Sequence, residues 1–316
     1  MSNNVKKGLF FGTLGVFFVG LQPIIANSRP EVLDPFIFAA MTCLIEAIIF
    51  FPLILIEKRF NDGKSNSLEV KKEHSSSLIA IWKKNLWFFI FIGVIFGLNQ
   101  LLFFFGYGLA GAINGALTQK TTVFFGILFG FLILKEKVTK LQIVFSIILF
   151  FGLILAITEG AFSFLNFNLD VIIGVITLLF ITCLWMFGHT ITKPVLNKNE
   201  VTATQMVFLR NFISGIILFF TYFIFYPLEN IFLLSNPINQ LFYIMMGLVY
   251  GLGLFCWYKT LSYLDVSKAT IILSPTPIIT AIFATIFLGE VFTIFHLIGT
   301  LIVILSIIII VIQKEK

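Results

Sequence analysis

The sequence predicts an all-α integral membrane protein that crosses the bilayer ten times, as two five-helix halves pointing in opposite directions. Three observations carry this reading: apolar runs of membrane length, a lopsided distribution of lysine and arginine, and motifs that recur at a fixed offset. Of the 316 residues, 59% are hydrophobic and 11% charged, and the mean hydropathy is +1.05. So little polar side chain could not coat a soluble core of this size, and long apolar runs with short polar breaks read as membrane spans. The net charge of +6 comes without a dense basic patch interleaved with aromatics, which argues against a nucleic-acid partner. Cys43, Cys183 and Cys256 lie far apart, each inside an apolar run. They make neither a disulfide framework nor a metal-ligand spacing, so no metal and no other cofactor is expected.

A helix needs about 20 apolar residues to cross the hydrocarbon. The runs are 8–26, 36–56, 86–107, 111–134, 142–158, 171–190, 204–226, 240–258, 266–288 and 292–312. The first follows Lys6 and Lys7 without a small-x-small cleavage site and is expected to be a retained helix rather than a signal peptide. One long polar insertion, 57–85, includes Ser75, Ser76 and Ser77. The other connections are short and force neighbouring helices to run antiparallel. With the N-terminus inside, 18 of the 21 basic residues fall in inner segments and only Arg29 in an outer one, Lys120 and Arg210 lying within spans. That bias places both termini in the cytoplasm, and the expected location is the plasma membrane as a multi-pass protein.

Laid on itself with a shift of 154 residues, the chain superposes Gly93-x-x-x-Gly97 on Gly247-x-x-x-Gly251, and Glu136 with Thr139 on Glu290 with Thr293. Each glutamate follows a long apolar helix and opens the next. A shift of 168 pairs Gly20 with Gly188 and Thr42 with Arg210, and the insertion after residue 57 absorbs the difference of 14. The expected units are therefore 8–158 and 171–312. Five spans per half is an odd number, so the second half must sit upside down. Inverted repeats of this kind are the architecture of secondary transporters, whose halves rock about a site near the midplane.

Phe287-Leu288-Gly289-Glu290 with Thr293, its echo Leu134-Lys135-Glu136 with Thr139, Lys120-Thr121-Thr122 and Arg210 together resemble the EamA family of the drug/metabolite transporter superfamily. The resemblance spans nearly the whole chain. It implies a ten-helix, five-plus-five fold that moves small metabolites, amino acids or amphipathic compounds, often outward. It also implies a central cavity lined by spans one, three, four, six, eight and nine. Two departures stand out: Thr42 occupies a position where members often carry arginine, and the fourth span lacks the family's common proline, while the ninth keeps Pro275 and Pro277.

A charge at the bilayer centre costs on the order of 2.5–3.5 kcal/mol on insertion scales, so each one needs a reason. Lys120, near the middle of the fourth span, is expected to attract an anionic group of the substrate or to exchange a proton. Glu46, similarly central in the second span, is a candidate partner for Lys120 or a coupling carboxyl. Arg210 is close enough to the end of its span to snorkel toward the headgroups, against a role in charge coupling. At about 100° per residue, Asn114, Thr118 and Thr121 share one stripe expected to face the cavity, with Lys120 roughly 100° away. Asn99 is expected to point at the cavity, because an amide facing lipid would be costly. Trp185, Tyr250 and Trp257 are candidate aromatic walls, an aromatic belt being the competing reading for Trp257 and, as for His189, an ambiguity at Trp185. The glycine pairs are expected to be packing seams. Pro275 and Pro277 are expected to kink or break the ninth span as a hinge.

These readings converge on a secondary active transporter of a small organic metabolite, working by alternating access, with export the expected direction. No P-loop is present to bind nucleotide. Protons or a counter-substrate are the candidate coupling partners, membrane lipids surround the protein, and a homodimer is a candidate assembly. A passive channel or lipid scramblase is the alternative. An enzyme is not expected, since His74, His189, His296 and one central carboxylate form no catalytic cluster.

Overall fold

Apolar runs in lipid must satisfy every backbone donor and acceptor internally, and here they do so as helices. The computed structural model describes residues 3–64, 78–135, 137–160, 168–198, 200–264, 269 and 272–312. The sequence readings on His74, Ser75 to Ser77 and Glu136 fall outside the described residues. In chain order the helices are α1 (Asn3–Ser28), α2 (Pro35–Lys64), α3 (Leu78–Ala110) and α4 (Ala112–Thr118). A 3₁₀ turn (Gln119–Thr121) joins α4 to α5 (Thr122–Leu134), followed by α6 (Lys140–Ile157), α7 (Leu169–Asn197) and α8 (Ala203–Phe225). A second 3₁₀ segment (Leu228–Leu234) leads to α9 (Pro237–Tyr263), α10 (Thr276–Phe287) and α11 (Ile294–Ile312). By length and composition eight segments can cross a membrane, Ala112–Leu134 counting as one, and two shorter apolar helices, Thr276–Phe287 and Ile294–Ile310, follow them.

Two expected boundaries are corrected. The polar insertion 57–85 is not all loop, because α2 runs on to Lys64 and α3 begins at Leu78 with a kink at Asn85. Likewise α7 continues to Asn197, past the expected end at residue 190. Bilayer thickness limits the apolar stretch, not the helix, which can go on into water.

Helix ends are set by side chains that repeat between the halves. Thr139 caps α6 in a reciprocal box with Gln142. At the position 154 residues on, Thr293 and His296 repeat the arrangement for α11: the Thr293 hydroxyl accepts the His296 N–H at 3.4 Å, and His296 Nδ1 accepts the Thr293 N–H at 3.1 Å. Asp34 caps α2 through the N–H groups of Phe36 and Ile37, and Thr202 caps α8 with Gln205. Each of these last two caps is tied to the far end of the other's helix. The Tyr222 hydroxyl donates to Asp34 Oδ2 at 3.0 Å, and the Thr202 hydroxyl donates to Glu57 Oε2 at 2.9 Å. Arg29, in the α1–α2 connection, is taken up locally by the carbonyls of Ala26 and Leu33; burial lowers its pKa and the Asp34 charge opposes that.

Packing follows the same exchange of halves. α1 lies on α9 as α7 lies on α3; α3 lies on α8 as α9 lies on α2; α1 lies on α10 as α7 lies on α5. α2 lies on α3 as α8 lies on α9, while the contacts of α2 with α8, α6 with α11 and α4 with α10 map onto themselves. Glycines make two of these seams close. A Cβ on Gly93 would sit 2.4 Å from Ile213 Cγ2 on α8, and one on Gly247 would sit 2.6 Å from Ile45 Cγ2 on α2. The packing role expected for these small residues is what the structure contains. The two largest apolar clusters of the interior lie around Phe38, Phe103 and Tyr243 and around Phe50, Phe96 and Tyr258, with smaller ones around Leu117 and around Leu149. Trp185 packs against both of the largest, which places it at the boundary between them.

Candidate functional site

At that boundary is a cavity of about 110 Å³. This exceeds severalfold the volume of about 10–15 Å³ on the same kind of measure that one water requires. Its walls come from α1 (Val19, Gln22), the 3₁₀ turn and α5 (Gln119, Lys120, Thr122), α7 (Trp185, Met186, His189), α8 (Arg210) and α9 (Tyr250, Trp257), with Leu273 ahead of α10. Phe103 on α3 does not line it but backs it, with ring centroids 6.0 Å from Trp185 and 5.6 Å from Tyr250. His189 stands edge-on to Trp257, 5.6 Å away.

The most informative contact begins with a missing donor. In an α-helix the carbonyl of Leu273 would accept the N–H four residues on, but that residue is Pro277, which has none. The chain instead forms a turn at residues 273–275 and restarts as α10 at Thr276, with Pro275 as N-cap. The Leu273 carbonyl, without its partner four residues on, accepts the Thr276 N–H at 3.2 Å, the Thr276 hydroxyl at 2.6 Å and the Lys120 ammonium at 2.7 Å. Lys120 comes from the 3₁₀ turn Gln119–Thr121, and a shift of 154 lays Gln119 on Leu273. The irregular points of the two halves thus touch through a lysine and a carbonyl. Pro275 and Pro277 do break the ninth helix.

Arg210 is 1% exposed, so the snorkelling alternative is overturned. Its guanidinium carbon is 3.9 Å from the centroid of the Phe96 ring, a cation–π contact, and Nη1 lies 3.5 Å from the Tyr258 hydroxyl. Its charge also faces Tyr250 and Glu46. Glu46 is fully buried and accepts the Asn211 amide on Oε2 at 2.6 Å, while Oε1 has no hydrogen-bond partner. Glu46 therefore joins the α2–α8 pair through Asn211, within electrostatic reach of Arg210, and it makes no contact with Lys120.

Three expected cavity residues look elsewhere. Thr118 donates back to the Asn114 carbonyl at 2.7 Å, Thr121 donates to the Thr118 carbonyl at 2.8 Å, and Asn114 Oδ1 meets His296 Nε2 at 3.2 Å. The 3₁₀ turn explains Lys120, since winding at about 120° per residue instead of 100° from Gln119 onward swings it into the cavity; Asn114 and Thr118 lie ahead of the turn and are taken up by His296 and by their own helix. Asn99 is fully buried with both amide atoms unpartnered and does not line the cavity. Sequence reasoning left out Gln22 and Gln119. Their signal was present, as amides inside apolar runs, but azimuth alone decides whether such a group meets a cavity or a neighbour.

Glu290 has a role across the halves. The chain turns at Gly289 (φ +68), and the glutamate's Oε1 and Oε2 accept the N–H groups of Ala112 at 2.7 Å and Ile113 at 2.9 Å. Gly111, at φ +79, lets the chain enter α4 beneath that carboxylate. Instead of opening its own helix, as expected, Glu290 caps the first turn of the fourth span, a favourable site for a negative charge.

A largely apolar cavity with Lys120 and Arg210 in its wall, set among membrane-length apolar helices where two internally repeated halves meet, is the arrangement of a membrane transport protein. The model of the EamA-like transporter family matches residues 6–158 and again 172–312. The chain belongs to that family, and is a multi-pass membrane protein of the drug/metabolite transporter type. A crystal structure of a protein 11% identical to this chain aligns with a TM-score of 0.69 over 98% of each chain, a likeness of fold alone. No curated protein matches the chain in sequence.

Proposed function

We propose that the protein is a secondary active transporter that carries a small organic metabolite, with export the favoured direction, by alternating access about the Lys120–Leu273 contact. In this reading the helices make ten crossings in two inverted halves, 8–158 and 171–312, with both termini in the cytoplasm of a plasma-membrane protein. The observation that carries it is the direct link between the irregular points of the two halves inside one cavity. A side chain that must leave Leu273 to engage a substrate couples binding to the fit between the halves. Lys120, Trp185, Tyr250 and Trp257 form the binding wall, Arg210 and Glu46 set its charge, and Pro275 and Pro277 form the hinge. Unpartnered Asn99 supports a role in a second conformation, in which a substrate or α3 itself turns to meet it.

Purified protein in proteoliposomes should give saturable uptake with trans-stimulation. Lys120→Ala should abolish it while leaving expression and melting temperature within a few degrees of wild type. Linear, non-saturating flux would assign the protein to channels or scramblases instead, and undiminished transport in the variant would remove Lys120 from the site.

A further inference from the structure

The buried charges do not balance. Among the described residues, three side chains of strong acid or base character are buried: Glu46 at 0%, Lys120 at 7% and Arg210 at 1% exposure. Glu46 faces Arg210. Among the described residues Lys120 meets the Leu273 carbonyl, a dipole and not a counter-charge. An ammonium taken out of water needs an ionic partner or must give up its proton. The cavity provides the space for a partner beside Lys120, and its remaining surface is of two kinds. Gln22 and the Gln119 amide, whose Nε2 is unpartnered, offer neutral hydrogen bonds. Trp185, His189, Tyr250 and Trp257 offer flat aromatic surface.

We infer that the substrate is an organic monoanion with a planar apolar body, its carboxylate or equivalent oxyanion drawing Lys120 off the Leu273 carbonyl while the body lies against Trp185 and Trp257. The inference rests on the transporter reading and names its substrate class. One negative charge cancels the excess cation. It also takes Lys120 off the Leu273 carbonyl, so the anion loosens a polar contact that ties the fourth span to the ninth. A neutral analogue lacks the charge to displace an ammonium from a 2.7 Å hydrogen bond. A cationic analogue adds to an uncompensated positive charge.

The test is equilibrium binding to detergent-purified full-length protein, followed by ligand-dependent thermal stabilisation, with three probes of one skeleton: phenylacetate, phenylacetamide and phenethylamine. Wild type should bind phenylacetate at least tenfold more tightly than the amide and the amine least well. Lys120→Met should bring acid and amide within twofold of each other, and Lys120→Arg should keep the preference for the acid. Parity of acid and amide in wild type, preference for the amine, or failure of all three to bind at 10 mM would each overturn the assignment. The wild-type comparison stands even if a variant does not fold. Binding in detergent involves no transport, so it can fail while counterflow in proteoliposomes succeeds, and the reverse.

Discussion

A carboxylate that receives two backbone N–H groups is held by charge-assisted bonds, each stronger than a neutral one. Glu290 is such a group, and its acceptors' donors belong to the opposite half of the chain. Glu290→Gln keeps the shape but turns an amide NH₂ toward one of those donors. A loss of about 1–3 kcal/mol is expected, read as a melting temperature several degrees lower in detergent. An unchanged melting temperature would make the cap incidental. Glu46 calls for a different readout. If transport is driven by protons through this carboxyl, Glu46→Gln removes the pH dependence of uptake, and an unaltered pH profile leaves Glu46 a structural partner of Asn211 and Arg210. At this scale the sequence was informative where chemistry alone decides. An ionisable group in an apolar run must meet something polar, and Lys120, Glu46 and Arg210 all do. It was uninformative where azimuth decides, because Thr118 and Thr121 meet their own backbone and Arg210 meets Phe96, a residue more than a hundred positions away.

Helices that lack one hydrogen bond become joints. The ninth span does so by composition, since Pro277 leaves Leu273 without its helical donor; the fourth does so by winding, with no proline at all. The first case was legible in Ser274-Pro275-Thr276-Pro277, and the second was not, because a 3₁₀ turn has no residue signature as strong as proline. Restoring the donor tests whether the joint matters. Pro277→Ala supplies an N–H that competes with Lys120 for the Leu273 carbonyl. Uptake should slow severalfold with no fall in melting temperature, and wild-type uptake would show that the freed carbonyl plays no part in the cycle. Caps were partly legible too: Thr139 and Thr293 were matched by their offset, but the matched roles of Gln142 and His296 show only in the hydrogen bonds, since the two side chains share geometry and not chemistry.

The exchange of packing partners between the halves is a property of the whole molecule, and it has a simple origin. A duplicated five-helix unit that packs on its own copy about a two-fold axis must pair first with eighth span and third with sixth, since swapping the halves turns one pair into the other. The surface where the copies meet is then the natural place for a cavity, and the charge left over there is what the proposed substrate neutralises. Apolar run lengths and the 154-residue offset pointed to an all-helical chain of two repeated halves without any side-chain contact; the helix extensions beyond the bilayer escaped them because hydropathy reports lipid and not helix. The claim beneath the account is that the two halves are opposed in the membrane. Lys137 and Val291 are exposed repeat mates, 154 residues apart. Single cysteines at these two positions, in a background without Cys43, Cys183 and Cys256, can be labelled with an impermeant maleimide from one face of intact cells and then of inverted vesicles. The account predicts labelling of Lys137→Cys only from the cytoplasmic face and of Val291→Cys only from the outer face; labelling of both from the same face would contradict it.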